Sequence, residues 1–289
     1  MKRYKKEKDG RLEIGQVIYN RRFVLTLDRS LCKGCVICKL ACPRDAITLK
    51  NQERGPDGKA AAPLVDIDEN KCDFHGICAV ACPFSAIKIV IDGSEEIPAV
   101  KKGVFPVLTR DIEADSSTCP QDCKKCEEAC PLDLITVKAE VSPDGKQKTA
   151  VEINKELCAG CQLCWQACPT GELKVSKFYE GLITINQELC PAGCKSCLDV
   201  CPVNALYEED GKIYANDSNC IYCGACQTVC PKSGEALIIN RLSILHSPVE
   251  SGAWNKGLEK ITSQEGLNRE LAALRVDKVR DAVSKLKLR

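Results

Sequence analysis

Residues 32–43 read CKGCVICKLACP, a run that sets four cysteines at Cys32-x2-Cys35-x2-Cys38-x3-Cys42 and closes on Pro43. The same rhythm returns as Cys158, Cys161, Cys164, Cys168 before Pro169, and as Cys220, Cys223, Cys226, Cys230 before Pro231. Two further runs carry one extra residue in the first gap: Cys119, Cys123, Cys126, Cys130 before Pro131, and Cys190, Cys194, Cys197, Cys201 before Pro202. In the remaining run, Cys72, His75, Cys78, Cys82 before Pro83, a histidine holds the second place. All 23 cysteines fall in these six motifs. One match could arise by chance or bind zinc; six that use every cysteine point to a repeated metal site.

The rest of the composition agrees. Only 4% of the 289 residues are aromatic, which argues against one large apolar core. Residues 1–10 are basic and polar and lack the apolar stretch of a secretory signal. The best apolar stretch, Ile87 to Ile91, contains Lys88 and is far too short to span a membrane. A cytoplasmic protein with reduced thiols is expected, and there paired cysteines bind metal rather than form disulfides. The formal net charge of +1 counts thiols as neutral. Six thiolate-bound clusters would bring the loaded chain to roughly −10. A nucleic-acid partner is therefore not expected, and the scattered lysines balance cluster charge.

β-rich stretches flank the motifs: 23–27 and 46–49 around the first, 64–67 and 86–91 around the second, 181–185 and 205–207 around the fifth. Each unit reads as strand, ligand loop, short helix, proline stop, strand. The helix must be brief, because the residue before a proline is pushed out of helical geometry.

The six runs resemble the C-x2-C-x2-C-x3-C-P motif of bacterial ferredoxins, which hold iron–sulfur clusters. That resemblance implies that the fourth cysteine of one motif ligates the cluster of its partner motif, so that motifs work in pairs. Sequential pairing is the simplest reading; a nested arrangement, with motifs four and five between three and six, is the alternative. Sequential pairing groups Cys32, Cys35, Cys38 with Cys82, and Cys72, His75, Cys78 with Cys42. It groups Cys119, Cys123, Cys126 with Cys168, and Cys158, Cys161, Cys164 with Cys130. It groups Cys190, Cys194, Cys197 with Cys230, and Cys220, Cys223, Cys226 with Cys201.

The expected fold is α+β: three tandem bacterial ferredoxin-like 2[4Fe-4S] domains plus a C-terminal helical tail. The expected divisions are a basic arm over 1–22, domains over 23–95, 104–178 and 180–242, and a tail over 243–289. Residues 92–103 read as a polar linker. Domains this small cannot rely on an apolar core alone, so metal must supply much of the folding free energy.

The expected cofactors are six iron–sulfur clusters, five of them [4Fe-4S] with four cysteine ligands. The cluster at His75 is either a Cys3His [4Fe-4S] or, with that corner vacant, a [3Fe-4S]; an uninvolved surface histidine is the third reading. Either cluster would differ electronically from its neighbours.

The basic arm is either solvated or docks on a partner. Beyond Cys230, Thr262 or Ser263 caps a helix from about 264 to 286, with Leu267, Leu271, Leu274, Val279, Val283 and Leu286 as its apolar stripe. It either packs back or docks on a larger complex, the second being favoured. Over residues 20 to 240 the chain resembles the polyferredoxins of methanogens and related anaerobic archaea. The segment from His246 to Trp254 and the helix after it look most like the F subunit of formylmethanofuran dehydrogenases. The resemblance implies an electron-transfer subunit, not itself catalytic, whose partners are subunits of a formylmethanofuran dehydrogenase, hydrogenase or heterodisulfide reductase. A zinc-stapled scaffold, or a subunit whose own open cluster reduces a substrate, are the rival readings.

Overall fold

A computed structural model describes residues 2–141 and 147–287. Its chain order is strand-rich with brief helices, and the strand pairing divides it into three like units. In the first unit, β3 (Arg21–Asp28), before motif one, pairs antiparallel with β6 (Ile87–Ile91), after motif two. Between them β4 (Ile47–Lys50) pairs with β5 (Leu64–Ile67). The second unit repeats the scheme, with β7 (Ile112–Ala114) on β10 (Leu173–Val175) outside and β8 (Ile135–Val141) on β9 (Gln147–Ile153) inside. In the third, β11 (Tyr179–Ile185) pairs with β14 (Leu237–Ile244), and β12 (Leu206–Glu209) with β13 (Lys212–Ala215). Motifs one and two, three and four, and five and six are thereby enclosed together, and the nested arrangement does not occur.

Each motif ends in four or five residues of helix. These are α1 (Ile37–Ala41), α2 (Ile77–Val80), α4 (Lys125–Glu128), α5 (Leu163–Ala167), α6 (Ser196–Asp199) and α7 (Ala225–Val229). They lie in pairs, one per unit, and the fourth cysteine and its proline stop them.

The first 22 residues are not an arm. β1 (Lys2–Lys8) and β2 (Arg11–Ile18) form a hairpin that extends the first unit's sheet in the order β1-β2-β3-β6. Leu12 and Ile14 are buried with Leu25 and Leu27 of β3, while Lys2, Lys5, Lys6, Lys8 and Arg11 are exposed. Charge along the strand concealed a two-residue alternation that buries one face. Residues 92–103 are likewise more than a polar linker: α3 (Pro98–Lys101) forms there, and Ile97, Ala99 and Val100 pack against the core.

The tail holds two helices. The unexpected one is α8 (Gly252–Thr262), capped by the Ser251 hydroxyl, which accepts from the Trp254 N–H at 3.3 Å. Trp254 is wholly buried, and Gly257 sits against Ile77 and the Ala41 carbonyl of the first unit. The expected helix is α9 (Gln264–Lys287). Leu267, Leu271 and Leu274 pack back into the core, whereas Val279 and Val283 are exposed; the side chain of Leu286 lies outside the described residues. Lys39 pairs with Glu270, and the Asn51 side chain donates to the Leu274 carbonyl at 3.1 Å, so the tail straps the first unit to the third.

One apolar cluster therefore runs through the first and third units and the tail. The second unit keeps a small cluster of its own, around Ile112, Ile135, Leu173 and Val175, and its inner end, at Ala159 and Cys161 with Leu132 and Leu163, joins the larger one.

Candidate metal centres

All 23 cysteines are free thiols. Each loop gives its ligands a shared backbone shape. The residue before the second ligand is left-handed in all six motifs: φ is 63° at Gly34, 58° at Phe74, 58° at Asp122, 74° at Gly160, 69° at Gly193 and 50° at Tyr222. In the four motifs without the extra residue the following position is left-handed too, at Val36, Gly76, Gln162 and Gly224. Such backbone is costly for most side chains, and repeating it six times turns the ligands inward around one volume. His75 stands in this same loop shape, between Phe74 and Gly76.

Four apolar hollows are lined by these side chains. The first is ringed by Cys32, Cys35, Cys38 and Cys82. Another is ringed by Cys72, His75, Cys78 and Cys42, and a third by Cys190, Cys194, Cys197 and Cys230. The fourth brings Cys119 and Cys126 to Cys168, and the charge of Cys123 acts on Cys119 beside it. Two more groupings appear in the mutual effect of the thiols on ionisation: Cys158, Cys161 and Cys164 with Cys130, and Cys220, Cys223 and Cys226 with Cys201. The thiols thus lie in the neighbourhoods that sequential pairing would need, with Cys123 placed by its closeness to Cys119.

The donors suit an iron–sulfur cluster. Among the described residues, no three His, Cys, Asp or Glu side chains converge as a single-ion site. The thiols ring a hollow instead, which disfavours a zinc staple. Backbone N–H groups point at sulfur: Ala86 donates to Cys82, Leu134 to Cys130 and Ala205 to Cys201, at 3.3–3.4 Å. These are the contacts by which a protein tunes a cluster's potential.

Burial pushes the thiols up, Cys72, Cys161 and Cys220 to about 11 and Cys164, Cys197 and Cys223 to about 12. Cys168 goes the other way. Burial opposes it, but the Thr170 hydroxyl and the N–H groups of Thr170, Leu173 and Gly171 hold it at about 7.

His75 Nδ1 accepts the Ile77 N–H at 3.1 Å, the place where the Cys35 sulfur takes the Ile37 N–H. A thiolate sulfur has lone pairs to spare for iron, but an imidazole nitrogen has one. Nε2, 3.5 Å from Asp73, is the atom left for a metal. Burial lowers the ring's proton affinity against the opposing pull of Asp73, which favours the neutral ring that ligation needs.

The cages are not strung in a line. Cys35 of the first feels Cys223 of the sixth, after burial the largest influence raising it. Arg110 donates to the Cys158 carbonyl of the fourth and to Pro83 and Ser85 beside Cys82, at 3.4 and 3.1 Å for the latter two. Lys177 lies within electrostatic reach of Cys161 and Cys220. Each unit therefore brings one inward cage, that of motif one, four or six, to this meeting point, and the three outer cages are those that make none of these contacts. The motif pattern does not reveal Arg110, Lys177, Arg241 or Tyr179 at this meeting point; the available signal was a lone cation interrupting an apolar strand, as in LIINRLSI around Arg241.

Fold and cages together define a dicluster ferredoxin. The 4Fe-4S dicluster domain family matches residues 31–86, 118–172 and 182–231, one match per unit. A chain of the formate dehydrogenase–heterodisulfide reductase–formylmethanofuran dehydrogenase complex from Methanospirillum hungatei superposes with a TM-score of 0.79 and 30% identity, covering 91% of this chain and 92% of that one. NADH-quinone oxidoreductase subunit I 2 of Symbiobacterium thermophilum is 31% identical over 96 residues, 32% of this chain and 39% of that protein. Polyferredoxin protein MvhB of Methanothermobacter marburgensis is 35% identical over 91 residues, 28% of this chain and 21% of that protein. This chain thus spans well under half the length of either curated relative. It belongs to the 4Fe-4S dicluster ferredoxin family, in the tandem form of a polyferredoxin. Among the described residues no helix is long and apolar enough to cross a membrane.

Proposed function

We propose that the chain carries six iron–sulfur clusters and relays single electrons among the subunits of an anaerobic redox complex in the cytoplasm. The observation that carries this reading is the grouping of thiols, in which each motif's first three ligands meet the fourth cysteine of its partner. Five cages take a four-cysteine [4Fe-4S] cluster. The sixth, with Cys72, Cys78 and Cys42, takes a [4Fe-4S] cluster with His75 Nε2 as fourth ligand or a [3Fe-4S] cluster without it. When bound, such clusters supply one-electron couples that need no substrate chemistry from the protein.

The inward cages make this a three-armed relay rather than a wire. Electrons entering at any outward cage can leave by either of the other two. Near-complete mutual coverage with a chain of a complex that contains formylmethanofuran dehydrogenase supports a partner of that type. Hydrogenase and heterodisulfide reductase are the alternative partners.

Iron content with EPR on anaerobically purified protein tests the reading. About 24 irons per chain fits six cubanes, and about 23 with a three-iron signal fits a vacancy at His75. A clearly lower count in fully loaded protein refutes it. Cys82→Ala should remove the cluster of motif one, and Cys42→Ala that of motif two.

A further inference from the structure

The three inward cages share the middle of the molecule with three cations, one in each gap. Arg110 spans the cages of motifs one and four through the contacts given above. Lys177 spans four and six: its backbone lies against Gly160, while its ammonium donates to the Asp217 carbonyl at 2.7 Å and stands 5.1 Å over the Tyr222 ring. Arg241 spans six and one. It donates to the carbonyls of Tyr222 at 2.8 Å and Cys223 at 2.5 Å, and packs on Gly224, whose other neighbour is the Cys35 carbonyl.

None of the three has a carboxylate partner among the described residues, although Glu156 and Asp217 stand in the surroundings of Arg110 and Lys177. Arg241 is only 2% exposed, and its acceptors are neutral carbonyls, the third being that of Ile261 at 3.3 Å. A buried guanidinium without a counter-charge is expensive. The anions this site can offer are the thiolate-bound clusters themselves. Other cations, such as Arg29 at Cys32 and Lys278 at Cys230, approach a single cage.

We propose that Arg110, Lys177 and Arg241 are positioning cations that bias the three inward clusters, as a group, toward accepting an electron. An electron from any outer arm is then held at the centre until a partner draws it off. This rests on the six-cluster reading. Added negative charge on an inward cluster is stabilised by a fixed cation on each side, and burial shields that attraction from salt. The step is a one-electron exchange between two cages, one oxidised and the other reduced, with no bond broken and no proton moved.

Potentiometric EPR on the loaded full chain tests it. Arg241→Gln should lower the midpoints of two centres, at low and high salt alike, with iron content unchanged, and Arg241→Lys should restore them. Arg110→Gln and Lys177→Gln should each lower a different pair, and they carry the test if Arg241→Gln loses iron. Lys138→Gln, on the surface, should move none. Unmoved midpoints in iron-replete variants, or shifts that vanish in high salt, overturn the proposal. Wild-type iron far below about 24 sinks the six-cluster reading instead, so the two failures are distinguishable.

Discussion

The hydroxyl of Tyr179, at the head of β11, donates to the carbonyl oxygen of Ala81 at 2.6 Å, joining the third unit to the residue before Cys82 of the first. Both groups are buried, and Arg110 lies 5.0 Å over the ring of the adjoining Phe178. Tyr179→Phe keeps the ring and leaves a buried carbonyl unpaired. The expected cost is about 1–3 kcal/mol. Anaerobic denaturation of the loaded protein should show it as a lower midpoint with iron retained.

His75→Cys separates the two occupancies of its cage. If the wild-type corner is vacant, the variant gains one iron and loses the three-iron EPR signal. If His75 already ligates, iron stays constant and the potential of that one centre falls, since thiolate donates more charge than imidazole.

Gly160→Ala places a methyl group 2.8 Å from the Ser176 carbonyl in a backbone with φ 74°. Neither the backbone shape nor the neighbouring backbone just past β10 can yield cheaply, and strain of about 1–3 kcal/mol is expected. The cage of Cys158, Cys161 and Cys164 should assemble poorly, lowering iron by about four per chain. Iron analysis beside a Gly58→Ala control, where no atom lies within 4 Å, checks this.

Removing the iron should leave no cooperative thermal transition by circular dichroism, because units this small depend on their metal. Any residual structure should weaken with alkali. Thiols that folding raises to about 11–12 favour the fold fully below the unfolded value near 8.5, and that support is lost as pH climbs through 11 to 12. The loaded protein, its thiolates already bound, should be flat from about pH 8.5 to 10. Equal alkaline loss in both forms would contradict the argument.

The halves of α9 should respond differently. Leu271→Ala empties a buried site and should cost about 2–5 kcal/mol. Val279→Ala, on the exposed half, should stay within about 0.5 kcal/mol. Thermal unfolding of the two loaded variants makes the comparison.

Ligand spacing was legible because cluster chemistry dictates it, and so were the flanking strands, whose β-branched residues lie beside turn signals. The N-terminal hairpin was hidden by its lysines and arginines. Asp9-Gly10, followed by inward Leu12 and Ile14, was the signal to weigh. Helix α8 was equally marked, by the cap at Ser251 and by Trp254, Leu258 and Ile261 at helical spacing, but its glycines diluted the pattern. How the units meet was not legible. Arg110, Tyr179 and Arg241 gain their meaning from partners, mostly backbone carbonyls, that lie 18 to 98 residues away in the chain, and motif spacing carries no information about which cages face inward.

The separate apolar cluster of the second unit has an evolutionary reading. A module that owns most of its core, and meets the others through Arg110, Ser85, the Gln166–Asn219 hydrogen bond of 2.7 Å and a small apolar seam at Ala159 and Leu163, can be exchanged or duplicated with little rebuilding of its neighbours. The first and third units, strapped by the tail, form a chassis. Lengthening the outer end of that unit to meet a new redox partner would then leave the other two units as they stand, provided Arg110 and the cage of motif four were kept.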